Sequence, residues 1–178
     1  MQPVAPISLL QVQGNDQLDQ EEHHCSCCDR MILDRSRDGA KEFSVNTTTV
    51  TNLFTAMHGE AFAYAKYMLY AERARQSGNT ELAELFENIA KEERFEHFAE
   101  EAGLVGLVGT DGENLRNAIE GESYEIETMY REFAEKARAA GDTAAANRFE
   151  EILHDEMKHR DAFKVALANI SKAAHAGS

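Results

Sequence analysis

Proline is almost absent from this chain of 178 residues, which contains only Pro3 and Pro6. Since proline is the strongest helix breaker, nothing after residue 6 interrupts a long helix. The chain also has no tryptophan and no apolar run of membrane-spanning length. Its first residues lack the basic start and long apolar stretch of a secretory signal, so we expect neither export nor membrane insertion.

Cysteine is scarce as well, and basic residues are outnumbered. The three cysteines, Cys25, Cys27 and Cys28, lie together in one polar segment, which argues against a disulfide framework and favours a reducing cytoplasm. The 18 Lys and Arg residues against 32 Asp and Glu give a formal net charge of −14. Such a surface repels nucleic acid and is compatible with the binding of cations.

The first 45 residues differ in composition from the rest of the chain. They are rich in Gln and Asp and carry the segment EEHHCSCCDR, whose His23, His24 and cysteines match no zinc-binding spacing. We interpret residues 1–45 as a polar N-terminal arm, with a soft-metal or redox patch as the alternative role for this segment. Residues 46–178 form one helical domain, which is large enough to bury a core.

The helical part of the sequence is a repeat. The segment AERARQSGNT at residues 71–80 returns as AEKARAAGDT at residues 134–143. Short glycine-containing turns make each half an antiparallel helical hairpin. The fold class is therefore all-α, a four-helix bundle built from two repeated hairpins. The spacing of apolar residues predicts helices over residues 48–77, 80–102, 113–140 and 143–173.

Each predicted helix carries an acid in the middle of its apolar stripe. Glu60 and Glu122 stand at matching places in the two halves, and so do Glu93 and Glu156. Glu96, Glu125 and His159 follow Glu93, Glu122 and Glu156, respectively, by three positions. An ionised carboxylate is disfavoured away from water unless it is paired or binds a metal, and Lys and Arg are nearly absent from these stripes. The pattern therefore predicts a site for two divalent metal ions.

A known family shows the same pattern. The chain resembles the rubrerythrin branch of the ferritin-like superfamily over residues 50–170, through Gly59-Glu60, Glu93, Gly121-Glu122-x-x-Glu125 and Glu156-x-x-His159. The resemblance implies a ferritin-like bundle with a non-haem, carboxylate-bridged diiron centre that reacts with hydrogen peroxide or dioxygen. The metal ligands that it implies are Glu60, Glu93, Glu122, Glu125, Glu156 and His159. It also implies that Glu125 is a movable ligand and that Tyr67 and Tyr130 hydrogen-bond the carboxylates of the site.

Two departures from the family pattern matter. Rubrerythrins have a histidine at the place of Glu96, whereas here the histidine, His97, falls one position later. We predict that Glu96 is a ligand, which gives a carboxylate-rich set like that of the symerythrin variant. The alternative is His97, which lies four residues after Glu93 and reaches the site by a local adjustment of the helix. The chain also lacks rubredoxin-like Cys-x-x-Cys pairs, so it needs a separate electron donor.

The two halves differ in length at one place. Glu60 and Tyr67 are seven residues apart, whereas Glu122 and Tyr130 are eight apart. A residue inserted without breaking a helix produces a π-bulge, a feature often found at functional sites. We therefore predict a π-type turn over residues 125–129, in the third helix.

The connection between the second and third predicted helices bears on the oligomeric state. About ten extended residues reach roughly 35 Å, and a helix of about 25 residues is roughly 38 Å long. A crossover along the bundle is only just within reach of one chain. Exchange of hairpins between two chains would relieve the stretch, so a domain-swapped homodimer is the alternative.

Three functions fit a site of this kind. The first is an oxidoreductase, a diiron peroxidase or oxidase that uses hydrogen peroxide or dioxygen. The second is a ferroxidase or iron-binding protein, which as a storage cage would need many subunits. The third is a dimanganese or mixed-metal oxidase acting on an organic substrate, with manganese in place of iron. We favour the first.

Overall fold

The computed structural model describes the backbone of residues 46–176 and the side chains of residues 46–172. The predicted arm lies outside the described residues, together with its cysteines and histidines, so the division into arm and domain stays a prediction. Within the described range the chain is helical and contains no strand, which confirms the predicted all-α class. None of the described helices combines the length and the apolar character that crossing a membrane requires.

Four long helices follow one another along the chain. Helix α1 spans Thr47–Gln76. Helix α2 consists of Thr80–Glu92, a π-helical turn Glu93–His97 and Phe98–Val105. Helix α3 consists of Asp111–Tyr124, a π-helical turn Glu125–Met129 and Tyr130–Ala140. Helix α4 spans Thr143–Ala176. The predicted helix ends are correct to within three residues.

The helices pair as two antiparallel hairpins, α1 with α2 and α3 with α4, as the repeat predicts. The two turns contain Gly78 and Gly141, whose φ angles of 79° and 87° lie in the left-handed region that favours glycine. Across each turn an arginine of the first helix donates to a glutamate of the second. These pairs are Arg75–Glu87 and Arg138–Glu150.

Alanines hold the helices of each hairpin close together. Ala71, Ala74 and Ala83 form a buried cluster, with Phe86 packed beside it. Seven of the nine buried apolar residues among the described side chains are alanines, and the other two are Met57 and Ile126. Close contact between small side chains therefore stabilises each hairpin from within.

The two hairpins form no extended interface with each other within the described part of the chain. Large apolar side chains that a closed bundle would bury remain open to solvent, among them Phe62, Leu85 and Val165 at 69%, 54% and 61% exposure. The chain thus supplies the four helices of a ferritin-like fold as two hairpins whose apolar faces are uncovered.

Candidate metal centre

Three predicted or alternative ligands converge in the first hairpin: Glu60 on α1, and Glu93 and His97 on α2. His97 Nδ1 lies 2.8 Å from Glu93 Oε2 and 3.8 Å from Glu60 Oε2. The two carboxylates are largely buried, with 26% and 15% of their side chains exposed, whereas His97 is 56% exposed. One ligand atom from each residue lies within 4.8 Å of the others, a spacing that lets all three bind one cation.

The second hairpin contains a matching group, formed by Glu122 on α3 and by Glu156 and His159 on α4. His159 Nδ1 lies 2.6 Å from Glu156 Oε2 and 3.9 Å from Glu122 Oε2. The exposed fractions are 18%, 14% and 55% for Glu122, Glu156 and His159. Both distances agree with those of the first group to within 0.2 Å. The repeat therefore produces the same half-site twice.

A π turn lies beside each group. In α3 the Tyr130 N–H donates to the carbonyl of Glu125, five residues earlier, so the π turn predicted over residues 125–129 is confirmed. In α2 the Phe98 N–H donates in the same way to the carbonyl of Glu93. This second π turn is not among the predictions from the sequence.

The π turn of α2 brings His97 to the place that His159 has in α4. Glu93 and Glu156 are 63 residues apart along the chain, but His97 and His159 are 62 apart. Helix α2 thus has one residue more than α4 between its glutamate and its histidine, and the wider turn absorbs that residue without breaking the helix. The signal was present in the sequence, in the same form as the extra residue of α3.

The two other predicted acids lie outside these groups. Glu96 is exposed and belongs to neither of the groups found among the described residues. Glu125 is partly buried at the start of the π turn of α3, where burial and then the charge of Glu156 raise its pKa. Glu125 therefore stands beside the second group. The role of Glu96 as a ligand stays a prediction.

The acids of each group lie close together and partly buried, which disfavours their charged forms unless a cation is bound. Burial, followed by the hydrogen bond and the charge of Glu156, raises the pKa of Glu122 to about 7. Oε2 of Glu122 is buried and has no hydrogen-bond partner in the described structure. In the first hairpin, a hydrogen bond shared by Glu60 and Glu93 raises the pKa of Glu60 and lowers that of Glu93. These donors fit divalent metal ions. A metal ion in the first group would replace the proton shared by Glu60 and Glu93, and one in the second would bind Oε2 of Glu122.

Each hairpin contains an aromatic pair that joins its two helices. The ring centroids of Tyr67 and Phe86 are 6.1 Å apart, and those of Tyr130 and Phe149 are 6.2 Å apart. Burial raises the pKa of Tyr130, and the charge of Glu125 raises it further, so this ring lies among the acids of the second hairpin. The hydrogen bonds from the two tyrosines to the carboxylates stay a prediction.

Several known proteins are similar to this chain in sequence. A family model described as Rubrerythrin matches residues 51–99 and 94–167. A protein named putative rubrerythrin from Methanocaldococcus jannaschii is 32% identical over 146 residues, which cover 70% of this chain and 71% of that protein. Nigerythrin from Nitratidesulfovibrio vulgaris is 31% identical over 137 residues, covering 69% and 67%. Symerythrin from Cyanophora paradoxa is 32% identical over 138 residues, covering 61% and 76%. The matched range of the family model includes both three-residue groups.

Proposed function

The chain belongs to the rubrerythrin family, and on this basis we propose that it is a non-haem diiron oxidoreductase that reacts with hydrogen peroxide or dioxygen. Proteins of this family bind a diiron centre. The observation that carries the proposal is the agreement between the two Glu–Glu–His groups, which offer two metal ions the same donors at the same spacing. Carboxylate oxygen and imidazole nitrogen are donors that suit iron.

We assign three ligands of the first iron to Glu60, Glu93 and His97, and three of the second to Glu122, Glu156 and His159. The position of Glu125 beside the second group supports its role as an additional, movable ligand. Compared with a set that includes Glu96, this set exchanges one carboxylate for one imidazole. It therefore places less negative charge around the two metal ions.

The residues around the site have separate tasks in this proposal. Bound iron would supply the electrons that reduce the oxygen–oxygen bond of the oxidant. The largely buried carboxylates keep water from the metal, and Tyr67 and Tyr130 hold them in place. The described residues contain no cysteine, so we propose that electrons come from a separate donor protein.

The test is metal analysis of protein purified from its own host, followed by turnover with hydrogen peroxide and with dioxygen in the presence of a reductant. We expect two iron ions per chain and consumption of peroxide. The control is the double variant Glu93→Ala, Glu156→Ala, which should lose both properties. Growth of ferric mineral would support a ferroxidase instead, and bound manganese would support a dimanganese or mixed-metal oxidase. A protein that carries no metal would contradict the proposal.

A further inference from the structure

The π turn of α3 takes one backbone carbonyl out of the regular hydrogen-bond pattern. In a regular α-helix the Tyr130 N–H would donate to the carbonyl of Ile126, four residues earlier. Here it donates to Glu125 instead, so the Ile126 carbonyl loses that donor. Only 3% of Ile126 is exposed, which leaves its carbonyl poorly accessible to water. A buried carbonyl without a partner destabilises a fold, so this turn needs a replacement donor.

Arg131 supplies that donor from its side chain. Its Nε donates to the carbonyl of Ile126 at 3.0 Å, across a separation of five residues. A hydrogen bond from a charged group to a carbonyl is stronger than one between neutral groups. Arg131 itself is an exposed residue and adds little to the packing of the hairpin. Its contribution to α3 is therefore this hydrogen bond.

The repeat provides an internal comparison for this arginine. Tyr67 of α1 matches Tyr130 of α3, so the position of Arg131 corresponds to Met68. Helix α1 is an uninterrupted α-helix and frees no carbonyl at this place. The methionine side chain has no N–H to donate. The guanidinium therefore stands in the half that has a freed carbonyl and is missing from the half that has none.

The π turn of α2 has no such side chain. The Phe98 N–H donates to Glu93, so the carbonyl of Arg94 loses its regular donor. The residue five positions after Arg94 is Ala99, whose methyl group cannot donate a hydrogen bond. The two π turns therefore differ, because a side chain holds the one in α3 from a position that is an alanine in α2.

The turn that Arg131 holds carries a residue of the candidate metal centre. It begins at Glu125, and the charges of Glu156 and His159 act on the Glu125 carboxyl, which therefore lies beside the second three-residue group. A wide turn that moved toward the start of α3, past Glu125, would rotate this residue by about 100° relative to Glu122. The place of the turn thus decides whether Glu125 faces the metal.

We propose that Arg131 is a positioning residue, which fixes the π turn of α3 by occupying the Ile126 carbonyl and so keeps Glu125 beside the second metal ion. The hold on the turn rests on the hydrogen bonds of α3 alone. Its effect on the metal rests on the proposed function.

The first experiment measures the turn without metal. Amide hydrogen exchange over residues 125–131 is compared between the chelated wild type and Arg131→Met, which introduces the residue of the matching place in α1. We expect exchange about tenfold faster in the variant, because one charge-assisted hydrogen bond is lost. Arg131→Lys keeps a charged donor and should restore most of the protection. Arg138→Met removes a guanidinium that binds Glu150 and is the matched control, so it should leave the turn unchanged.

A deletion separates the π turn from the general stability of the helix. Without Glu127, an exposed residue of the turn, Arg131 becomes the fourth residue after Ile126, and its backbone N–H can donate to that carbonyl. In this background Arg131→Met should not accelerate exchange. Equal exchange in wild type and Arg131→Met would overturn the proposal. Equal acceleration with and without Glu127 would overturn it too, since the arginine would then act on any helix.

Titration with ferrous iron tests the link to the metal. One of the two iron ions should bind about tenfold more weakly to Arg131→Met, as expected when a group that supports a metal ligand is removed. Arg131→Lys should restore most of the affinity. A looser turn with unchanged iron binding would overturn the positioning role. A wild-type protein that binds no iron would contradict the proposed function instead, and hydrogen exchange would still decide whether Arg131 holds the turn.

Discussion

Phe98 donates its backbone N–H to the carbonyl of Glu93, five residues earlier, where a regular α-helix would use Arg94. The wider turn absorbs one residue. His97 therefore lies four residues after Glu93 and still has its Nδ1 2.8 Å from the Glu93 carboxylate, as His159 lies 2.6 Å from Glu156 at a separation of three residues.

This geometry predicts which of two neighbouring residues matters for the metal. His97→Ala should weaken iron binding by at least about tenfold, because a direct ligand contributes no less than the outer-shell groups that support it. Glu96→Ala changes an exposed residue of the same turn and should leave the affinity unchanged. Titration of the metal-free proteins with ferrous iron measures both. Weak binding by the Glu96 variant and normal binding by the His97 variant would restore Glu96 as the ligand.

The extra residue of α2 should be dispensable. Deleting Phe95, whose side chain is 66% exposed, removes little packing and places the histidine three residues after Glu93. We expect a regular α-helix in place of the π turn and an iron content equal to that of the wild type. Deleting Asn88 is the control, since it rotates everything beyond it by about 100° and no π turn can compensate. The idea fails if the Phe95 deletion loses iron and the helix content is unchanged by circular dichroism.

The raised pKa of Glu122 predicts how the stability of the metal-free protein depends on pH. Its pKa is about 7 in the folded state against an ordinary value of 4.5, so ionisation opposes folding. The stability therefore falls as the pH rises above 4.5, the ordinary pKa, and stops falling once the pH exceeds about 7, the pKa in the folded state. Glu122→Gln cannot ionise, and its amide can donate to Glu156. With a chelator present, the Glu122→Gln variant should melt at a higher temperature than wild type at about pH 8. At about pH 4 the two should melt at similar temperatures.

The measurement is thermal unfolding with a chelator present. Glu135→Gln, an exposed position on the same helix, is the control and should change the melting temperature little at either pH. If Glu122→Gln gives the same difference from wild type at both pH values, the charge of Glu122 is not the cause.

Iron should raise the melting temperature. A ligand present at about 100 times its dissociation constant stabilises the folded state by roughly 2.7 kcal/mol. For a chain of this size, that corresponds to a rise of about 5–10 °C. Calorimetry of chelated protein with and without ferrous iron measures the shift. The double variant Glu60→Ala, Glu93→Ala should show a much smaller rise, and an equal rise would place the stabilising iron elsewhere.

The helices and the acids could be predicted from the sequence because both depend on local pattern. The turns at Gly78 and Gly141 repeat at matching places, and no proline interrupts the periodic apolar residues between them. The π turn of α3 was visible because Tyr67 and Tyr130 give two fixed points for counting residues. All of these features are determined by residues that lie close together in the sequence.

Two features could not be decided in this way. The first is the extra residue of α2. Glu96 lies three residues after Glu93, the spacing that suits a regular α-helix, whereas His97 lies four residues after it, so the sequence alone allowed an uninterrupted helix with Glu96 as the ligand. The end of α2 is ambiguous because Gly103 and Gly106 are both suited to end a helix. Gly106 has the positive φ, and Gly103 lies inside the helix. The helix therefore ends three residues later than predicted, at Val105.

The arginine–glutamate pairs at the two turns have a consequence for the order of folding. Arg75 and Glu87, like Arg138 and Glu150, are separated by twelve residues, and among the described residues every large contact surface lies within one hairpin. Exposed ion pairs contribute at most about 1 kcal/mol, but contacts of such short range form early and fast. Each hairpin would be finished before the two hairpins of a metal site meet, and their meeting is a slower, separate step. The rate at which active protein forms would then be set by the meeting of finished hairpins and not by the folding of either one.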